Sequence, residues 1–289
     1  MTGAARAIPR SILYTSALSL DRVVKAWSYD ADVYLIDLED AVPPAEKPAA
    51  RRVCQAALKK APKPENVAVR VNELGSVEAV HDLLMLTESP VKPGIVVMTM
   101  VTSAAEVDLL RRILASADAH PEIYATVETV EAVADTDVIA RSADGLVLGS
   151  ADLAATLGVE ISWEAMLVAR QSMAMACARH GAACIDTANF WLAEPAVLSE
   201  ETVRARALGF HGKVTVHPAE LDTINRILRP RSDELEAARR VTEAVGAAGG
   251  GIAVLDGHMI GPPFARLARD TVAREDAWTS RFGGDGGTG

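Results

Sequence analysis

Glu128 and Asp152 each follow a short β-branched run, and Arg70 sits inside a third, VAVRV. Other runs of this kind also end on polar groups: Asp37, Glu39 and Asp40, then Asn72, Asp186 and His217. Strand ends are often polar simply because they are exposed, which accounts for any one of these alone. Several carboxylates and an arginine at equivalent places need a further reason. Adjacent parallel strands lie about 4.8 Å apart, so carboxylates leaving neighbouring strands can share one cation. Two carboxylates without His or Cys suit Mg2+ or Mn2+ better than Zn2+, and a hard divalent ion keeps other positions for water or substrate oxygens. Glu128 can equally open the following helix as an acid at the positive end of its dipole. The alternation in VAVRV turns Arg70 inward. A guanidinium buried there needs an anion, either a neighbouring carboxylate or a substrate carboxylate held bidentately.

A repeated alternation places these residues. Candidate strands lie at 11–14, 33–37, 67–71, 95–98, 123–127, 145–148, 184–186 and 214–216. Ala-rich amphipathic stretches fall between them, including 20–28 behind an N-capping Ser19, 44–60 with prolines near its start, 104–116, 130–140, 163–180 and 200–209. Strand then helix, repeated, implies a parallel sheet with crossover helices. The repeat count favours an α/β fold closed as a (β/α)8 TIM barrel over an open Rossmann-like sheet, and no G-x-G-x-x-G follows the first strand. In such a barrel the C-terminal ends of the strands converge on one mouth. The barrel is expected over residues 1–248. Gly249, Gly250 and Gly251 then break the last helix, a short apolar run follows, and Pro262-Pro263 opens a final helix. This predicts a C-terminal helical lid at 249–276 and a disordered tail at 277–289.

Composition excludes several classes. The 289 residues are 49% hydrophobic and 24% charged, ordinary for a globular chain, and the net charge of −10 argues against a nucleic-acid partner. Cys54, Cys177 and Cys184 lack metal or redox spacing and suit a reducing compartment. The start has no apolar leader and no long apolar run occurs, so a cytoplasmic protein with no membrane partner is expected. Met166, Met173 and Met175 read as helix packing, and Gly212-Lys213 lacks the rest of a phosphate-binding loop.

The ordered motifs resemble the citrate lyase β-subunit-like proteins of the HpcH/HpaI aldolase superfamily, relatives of malyl-CoA and citramalyl-CoA lyases. The matches are Arg10-Ser11, Lys25-Ala26, Ala31-Asp32, the run DLEDAV at 37–42, Lys47 with Ala50-Arg51, VRVN at 69–72 and Glu128-Thr129. GSADL at 149–153, Ile185-Asp186, LGFHGKVTVHP at 208–218 and LDGHMI at 255–260 follow. The resemblance implies a barrel, Mg2+, and homotrimers or homohexamers in which the C-terminal segment caps a neighbour's site. It implies Glu128 and Asp152 as metal ligands, and Arg70 as the group holding a substrate carboxylate or developing enolate oxygen. Glu39 and Asp40 would orient metal-bound water and Arg70, while the backbone of Gly149, Ser150, Ala151 and Asp152 would accept an α-keto carboxylate. The implied substrates are an α-keto acid and an acyl thioester, with CoA as the expected carrier.

Three motifs depart from that pattern. Relatives commonly read FVPG where this chain has Tyr14-Thr15-Ser16-Ala17, and PKVES where it has Thr99-Met100-Val101-Thr102-Ser103. The lid motif D-G-x-M-I-D becomes LDGHMIG, so Gly261 stands where relatives carry an acid/base aspartate, and His258 stands where Lys is frequent. A missing general acid/base costs about 10²–10⁴ in rate. The first expectation is a Mg2+-dependent carbon–carbon lyase or aldolase. The alternatives are a thioesterase on the same scaffold and a non-catalytic keto-acid-binding protein.

Overall fold

The computed structural model describes residues 6–191 and 194–283. The chain forms two compact units, one of Arg10–Arg226 and one of Met1–Pro9 with Ile227–Gly289. In the first unit the strands are β1 (Ser11–Ser16), β2 (Val33–Asp37), β3 (Val67–Arg70), β4 (Ile95–Met98), β5 (Glu122–Val127), β6 (Gly145–Leu148), β7 (Ala183–Asp186) and β8 (Gly212–Thr215). They close into a parallel barrel in chain order, β1 pairing with β8. The helices around them are α1 (Leu20–Ala26), α2 (Lys47–Lys60), α3 (Val77–Glu88), α4 (Ala104–Ala115), α5 (Val130–Ala134), α6 (Thr136–Ser142), α7 (Ser150–Leu157), α8 (Leu167–His180), α9 (Pro195–Leu208) and α10 (Leu221–Leu228).

Period-two alternation divides each strand between two environments. Ile36, Val69, Val96, Ala125, Leu146 and Cys184 face outward and pack with Cys54, Leu86, Leu110, Ile139 and Met173 from the surrounding helices. The opposite set, including Ile12, Leu35, Ala68, Val97 and Tyr124, is equally buried and fills the barrel. Gly145 makes room for the largest of these: a Cβ there would come 2.9 Å from the Tyr124 ring.

Three helical expectations shift. The 163–180 stretch becomes helical only at Leu167, because Trp163 is drawn between Arg170 and Arg204, whose guanidinium carbons lie 4.1 and 4.2 Å from its ring. The 130–140 stretch breaks at Asp135 into α5 and α6. The 200–209 helix starts earlier, with Pro195 at its first turn, where a missing N–H costs nothing.

The parity also overturns the placement of Asp186 at the mouth. Asp186 shares the outward side with Cys184 and is fully buried against Arg170 of α8 (2.9 Å) and Lys213 of β8 (2.9 Å). Burial alone would raise its carboxyl, but Lys213 and Arg170 outweigh that and hold it below the ordinary range.

The second unit holds α11 (Ser232–Ala247), the hairpin β9 (Ala253–Leu255) and β10 (His258–Ile260), and α12 (Pro262–Phe282). Val245, Ile260 and Ala265 form its core, so α11, assigned by the sequence to the barrel, packs here. Helix α12 runs through residues expected as tail, because no breaker intervenes before Gly283; residues 284–289 lie outside the described residues. The hairpin turns on Asp256 (φ 49) and Gly257 (φ 78), the Asp-Gly sequence that a two-residue turn with two positive φ angles favours.

Lys213→Met should lower unfolding stability by about 3–5 kcal/mol, since it strips one partner from a buried carboxylate. Because Asp186 is depressed when folded, its contribution is present above the unfolded carboxylate pKa of about 3.9 and is lost as pH falls through the lower folded value. Urea titrations from neutral to acidic pH should show that loss in the wild type and a smaller one in Lys213→Met. An unchanged urea midpoint at neutral pH would refute the assignment.

Candidate active site

The inward-facing residues at the C-terminal ends of the strands open onto a cavity of about 860 Å³ within the barrel unit. Tyr14, Asp37, Arg70, Thr126, Glu128, Gly149 and Asp152 are among its walls.

Arg70 is set by the register that places Asp37 directly beside it on β2. Its Nε donates to Asp37 Oδ1 (2.8 Å) and its Nη2 to Asp37 Oδ2 (2.6 Å), while Nη1 lies 3.1 Å from Glu39 Oε2. The anion required by a buried guanidinium is therefore supplied by the protein. Burial alone would pull Arg70 down, but Asp37, then Tyr14 and Glu39, reverse that and keep it charged. The Tyr14 ring lies 5.1 Å from the guanidinium carbon. Asp37 also accepts from the backbone N–H groups of Glu39 (2.9 Å) and Ala41 (3.3 Å), which folds the β2 loop over it.

Lys47 fastens that loop from behind. Its ammonium donates to the carbonyls of Leu38 (3.0 Å) and Glu39 (3.1 Å) and to the side-chain oxygen of Asn72. Asn72 donates to Asp82 (2.6 Å), which Arg51 also holds (2.7 Å). Lys47 and Asn72 thus fix the geometry of Glu39 and stand outside the cavity walls. Glu39 is pushed up to about 7, burial outweighing the pull of an Arg70 already committed to Asp37. Asp40 is exposed and lines the cavity.

Glu128 extends the inward parity of Tyr124 and Thr126 and is only 4% exposed. Its Oε1 accepts the backbone N–H of Met100 (2.6 Å), a residue held at φ 51, where a side chain pays a steric cost. The helix-capping alternative falls to Thr129, whose hydroxyl accepts from Ala132. Burial, reinforced by the negative charge of Asp152, raises Glu128 to about 7. Asp152 sits in the first turn of α7, whose N-cap is Gly149. A Cβ on Gly149 would fall 2.3 Å from Glu128 Oε2 and 2.5 Å from its Cβ, so only glycine lets β6 pass this close. Ser150 is fully buried with its hydroxyl 2.8 Å from Thr187, pinning the start of α7, while Ala151 is exposed to the cavity.

The donor set fits a hard divalent ion. The negative charge of Asp152 adds to burial in raising Glu128, and the Gly149 cradle keeps space at the Glu128 oxygens. Among the described residues no group of three His, Cys, Asp or Glu could hold a metal, so further ligands would be non-protein oxygens.

Sequence reasoning missed Thr126 and Arg22 and read Lys25 as part of a solvated face, although all three line the cavity. The hydroxyl of Thr126 is buried with no hydrogen-bond partner among the described residues, and Arg22 and Lys25 of α1 reach the wall. The period-two spacing from Tyr124 through Thr126 to Glu128 was the available signal for Thr126. His217 caps the turn after β8, its Nδ1 accepting from Ala219 (3.3 Å).

Residues 10–218 match the model of a family described as HpcH/HpaI aldolase/citrate lyase. A (3S)-malyl-CoA thioesterase of Cereibacter sphaeroides is 29% identical over 276 residues, covering 93% of this chain and 95% of that one. The crystal structure of the protein CitE of Mycobacterium tuberculosis with magnesium, acetoacetate and coenzyme A superposes with a TM-score of 0.78 at 29% identity, covering 94% and 99% of the two chains. A citrate lyase β subunit from the same organism, complexed with oxaloacetate and magnesium, gives a TM-score of 0.68 at 29% identity, covering 78% of this chain and 99% of that one.

Gly149→Ala should leave the barrel folded and cost about 1–3 kcal/mol, the range for forcing a methyl group into filled space. Thermal unfolding followed by circular dichroism measures this; an unchanged midpoint would mean that Glu128 is not where this geometry puts it.

Proposed function

This chain belongs to the HpcH/HpaI aldolase/citrate lyase family, and on that footing we propose that it is a Mg2+-dependent carbon–carbon lyase or aldolase. Its substrate is a 3-hydroxyacyl thioester with CoA as carrier, and an α-keto acid is the second product or substrate. The observation that carries this is the placement of Glu128 and Asp152 in one cavity with Arg70, whose own charge is already taken up by Asp37 and Glu39.

Glu128 and Asp152 would hold a divalent ion, which when bound would supply Lewis-acid polarisation of a keto oxygen. The backbone N–H groups of Ser150, Ala151 and Asp152 open α7, where the first turn has no intrahelical acceptors, and they receive the keto acid's carboxylate. Asp37 and Glu39 immobilise Arg70 so that it faces the thioester oxygen on which enolate charge gathers. Arg22 and Lys25 bring two cations to the cavity wall, which suits the phosphates of the carrier.

One observation favours a second reading, hydrolysis of a malyl-type thioester without carbon–carbon cleavage. Position 261 carries no acid, and Asp256 on the same hairpin is bound by Arg240, with both carboxylate oxygens 2.7 Å from Nη2. The activity named for the C. sphaeroides relative is of this type.

Purified protein with Mg2+ should convert malyl-CoA or citramalyl-CoA to a keto acid and a shorter acyl-CoA, both followed by mass spectrometry. CoA release without keto acid selects hydrolysis instead. Glu128→Gln should abolish Mg2+ binding in calorimetry under either chemistry, and unchanged affinity would sink the metal site. Gly261 has extended backbone (φ −160), and a Cβ there meets only Ile252 at 3.7 Å, so Gly261→Asp should fold. It should raise keto-acid release if the lyase lacks only its acid/base group, by up to about 10²–10⁴.

A further inference from the structure

We propose that Tyr14 is a catalytic hydrogen-bond donor, its hydroxyl contacting the thioester oxygen of the substrate beside Arg70. This rests on the reading of the cavity as a site for thioester enolate chemistry.

Arg70 has its Nε and Nη2 taken by Asp37 and its Nη1 by Glu39, so two carboxylates face one guanidinium. An oxygen gaining negative charge near this cluster gains less from Arg70 than from an unpaired cation. A neutral donor beside it adds stabilisation without bringing another counter-charge to be neutralised.

Tyr14 is placed to be that donor. It leaves β1 on the inward side, lines the cavity, and stacks its ring against Arg70 at 5.1 Å. The stacking fixes the ring and uses none of the hydroxyl, which makes no hydrogen bond to another described residue. A phenylalanine would pack equally well, so the oxygen has no structural task here. Burial, assisted by the surrounding acids and opposed by Arg70, raises the hydroxyl above its ordinary range, so it stays protonated and donates rather than accepts. No bond is made or broken at Tyr14; it holds an oxygen while charge moves onto it.

A second neutral hydroxyl supports this view of the cavity. Thr126 lines it from β5, four strands round the barrel from β1, and its Oγ1 is buried with no partner among the described residues. Buried hydroxyls are ordinarily satisfied, and one left open toward a cavity fits a ligand's polar atoms. Together the two residues make the cavity one that presents unspent neutral donors to a ligand rich in oxygen.

The test is Tyr14→Phe, which keeps the ring and its stacking. Two readouts are used with Mg2+ present. The first is turnover of malyl-CoA and citramalyl-CoA. The second needs no turnover: acetoacetyl-CoA is titrated in, and the ultraviolet band of its enolate reports how strongly the site stabilises a negatively charged thioester oxygen. We expect kcat to fall by about tenfold to a hundredfold, on the scale of losing one oxyanion donor. KM, Mg2+ affinity and acetoacetyl-CoA affinity should stay within about twofold, while the bound enolate fraction drops about tenfold. Unchanged kcat together with an unchanged enolate band overturns the role of Tyr14 and leaves the lyase reading standing. A wild type without turnover whose enolate band is lost in Tyr14→Phe overturns the lyase reading and keeps the donor. A wild type that neither turns over a thioester nor binds acetoacetyl-CoA overturns both.

Discussion

An excess of buried carboxylates around a single guanidinium governs the barrel mouth. Asp37 and Glu39 pair with Arg70, Glu128 lies within reach of its charge with Asp152 beyond it, and burial pushes Glu39 and Glu128 each up to about 7. An uncompensated buried charge costs several kcal/mol, so the fold must hold these groups in place against their own repulsion. The supporting contacts answer to that need. Lys47 ties down the carbonyls of Leu38 and Glu39, and Asn72, Asp82 and Arg51 tie down Lys47's end of the loop. Gly149 lets β6 approach Glu128 without displacing it. A site built this way keeps an electrostatic deficit of the kind that a bound cation would relieve.

The repeat of strand and helix and the closure into a barrel were readable from the sequence, because apolar strands recur between amphipathic helices, and Arg70, Glu128 and Asp152 were readable as residues that follow or end such strands. What was not readable was orientation at single strand ends. Asp186 looks like Glu128 in sequence, yet it shares the outward side with Cys184 and pairs with Lys213 and Arg170. Applying the strand's own parity, rather than its end position, separates the two. Helix limits failed for a different reason. Trp163 fits a helical pattern, but stacking between Arg170 and Arg204 takes it out of one, and no local propensity encodes that tertiary contact.

The C-terminal unit is organised around turn chemistry. Its Asp-Gly pair is what a two-residue hairpin turn requires, and the Asp256 carboxylate is then consumed by Arg240. That residue, the first acid of the hairpin motif, is thereby explained by folding. Position 261, by contrast, begins α12 as an extended glycine with space beside it, so nothing in the packing of the hairpin excludes a side chain there.

The same contrast between charge and neutrality recurs inside the barrel. After β4 the chain offers Thr99, Met100 and Val101, and it is the backbone of Met100, in a left-handed conformation, that serves Glu128. A main-chain N–H binds the carboxylate without adding a charge that a ligand would have to contend with, and its position is fixed by the fold rather than by a flexible side chain. The hydroxyls of Tyr14 and Thr126, without partners among the described residues, belong to the same pattern. Where a lysine or glutamate would commit the cavity to one charge distribution, neutral donors hold ligand oxygens in any charge state and leave discrimination to shape. On the proposed reading, the cationic work falls to Arg70, to Arg22 and Lys25 on the wall, and to an ion that Glu128 and Asp152 would hold, while the neutral hydroxyls would orient the ligand between them.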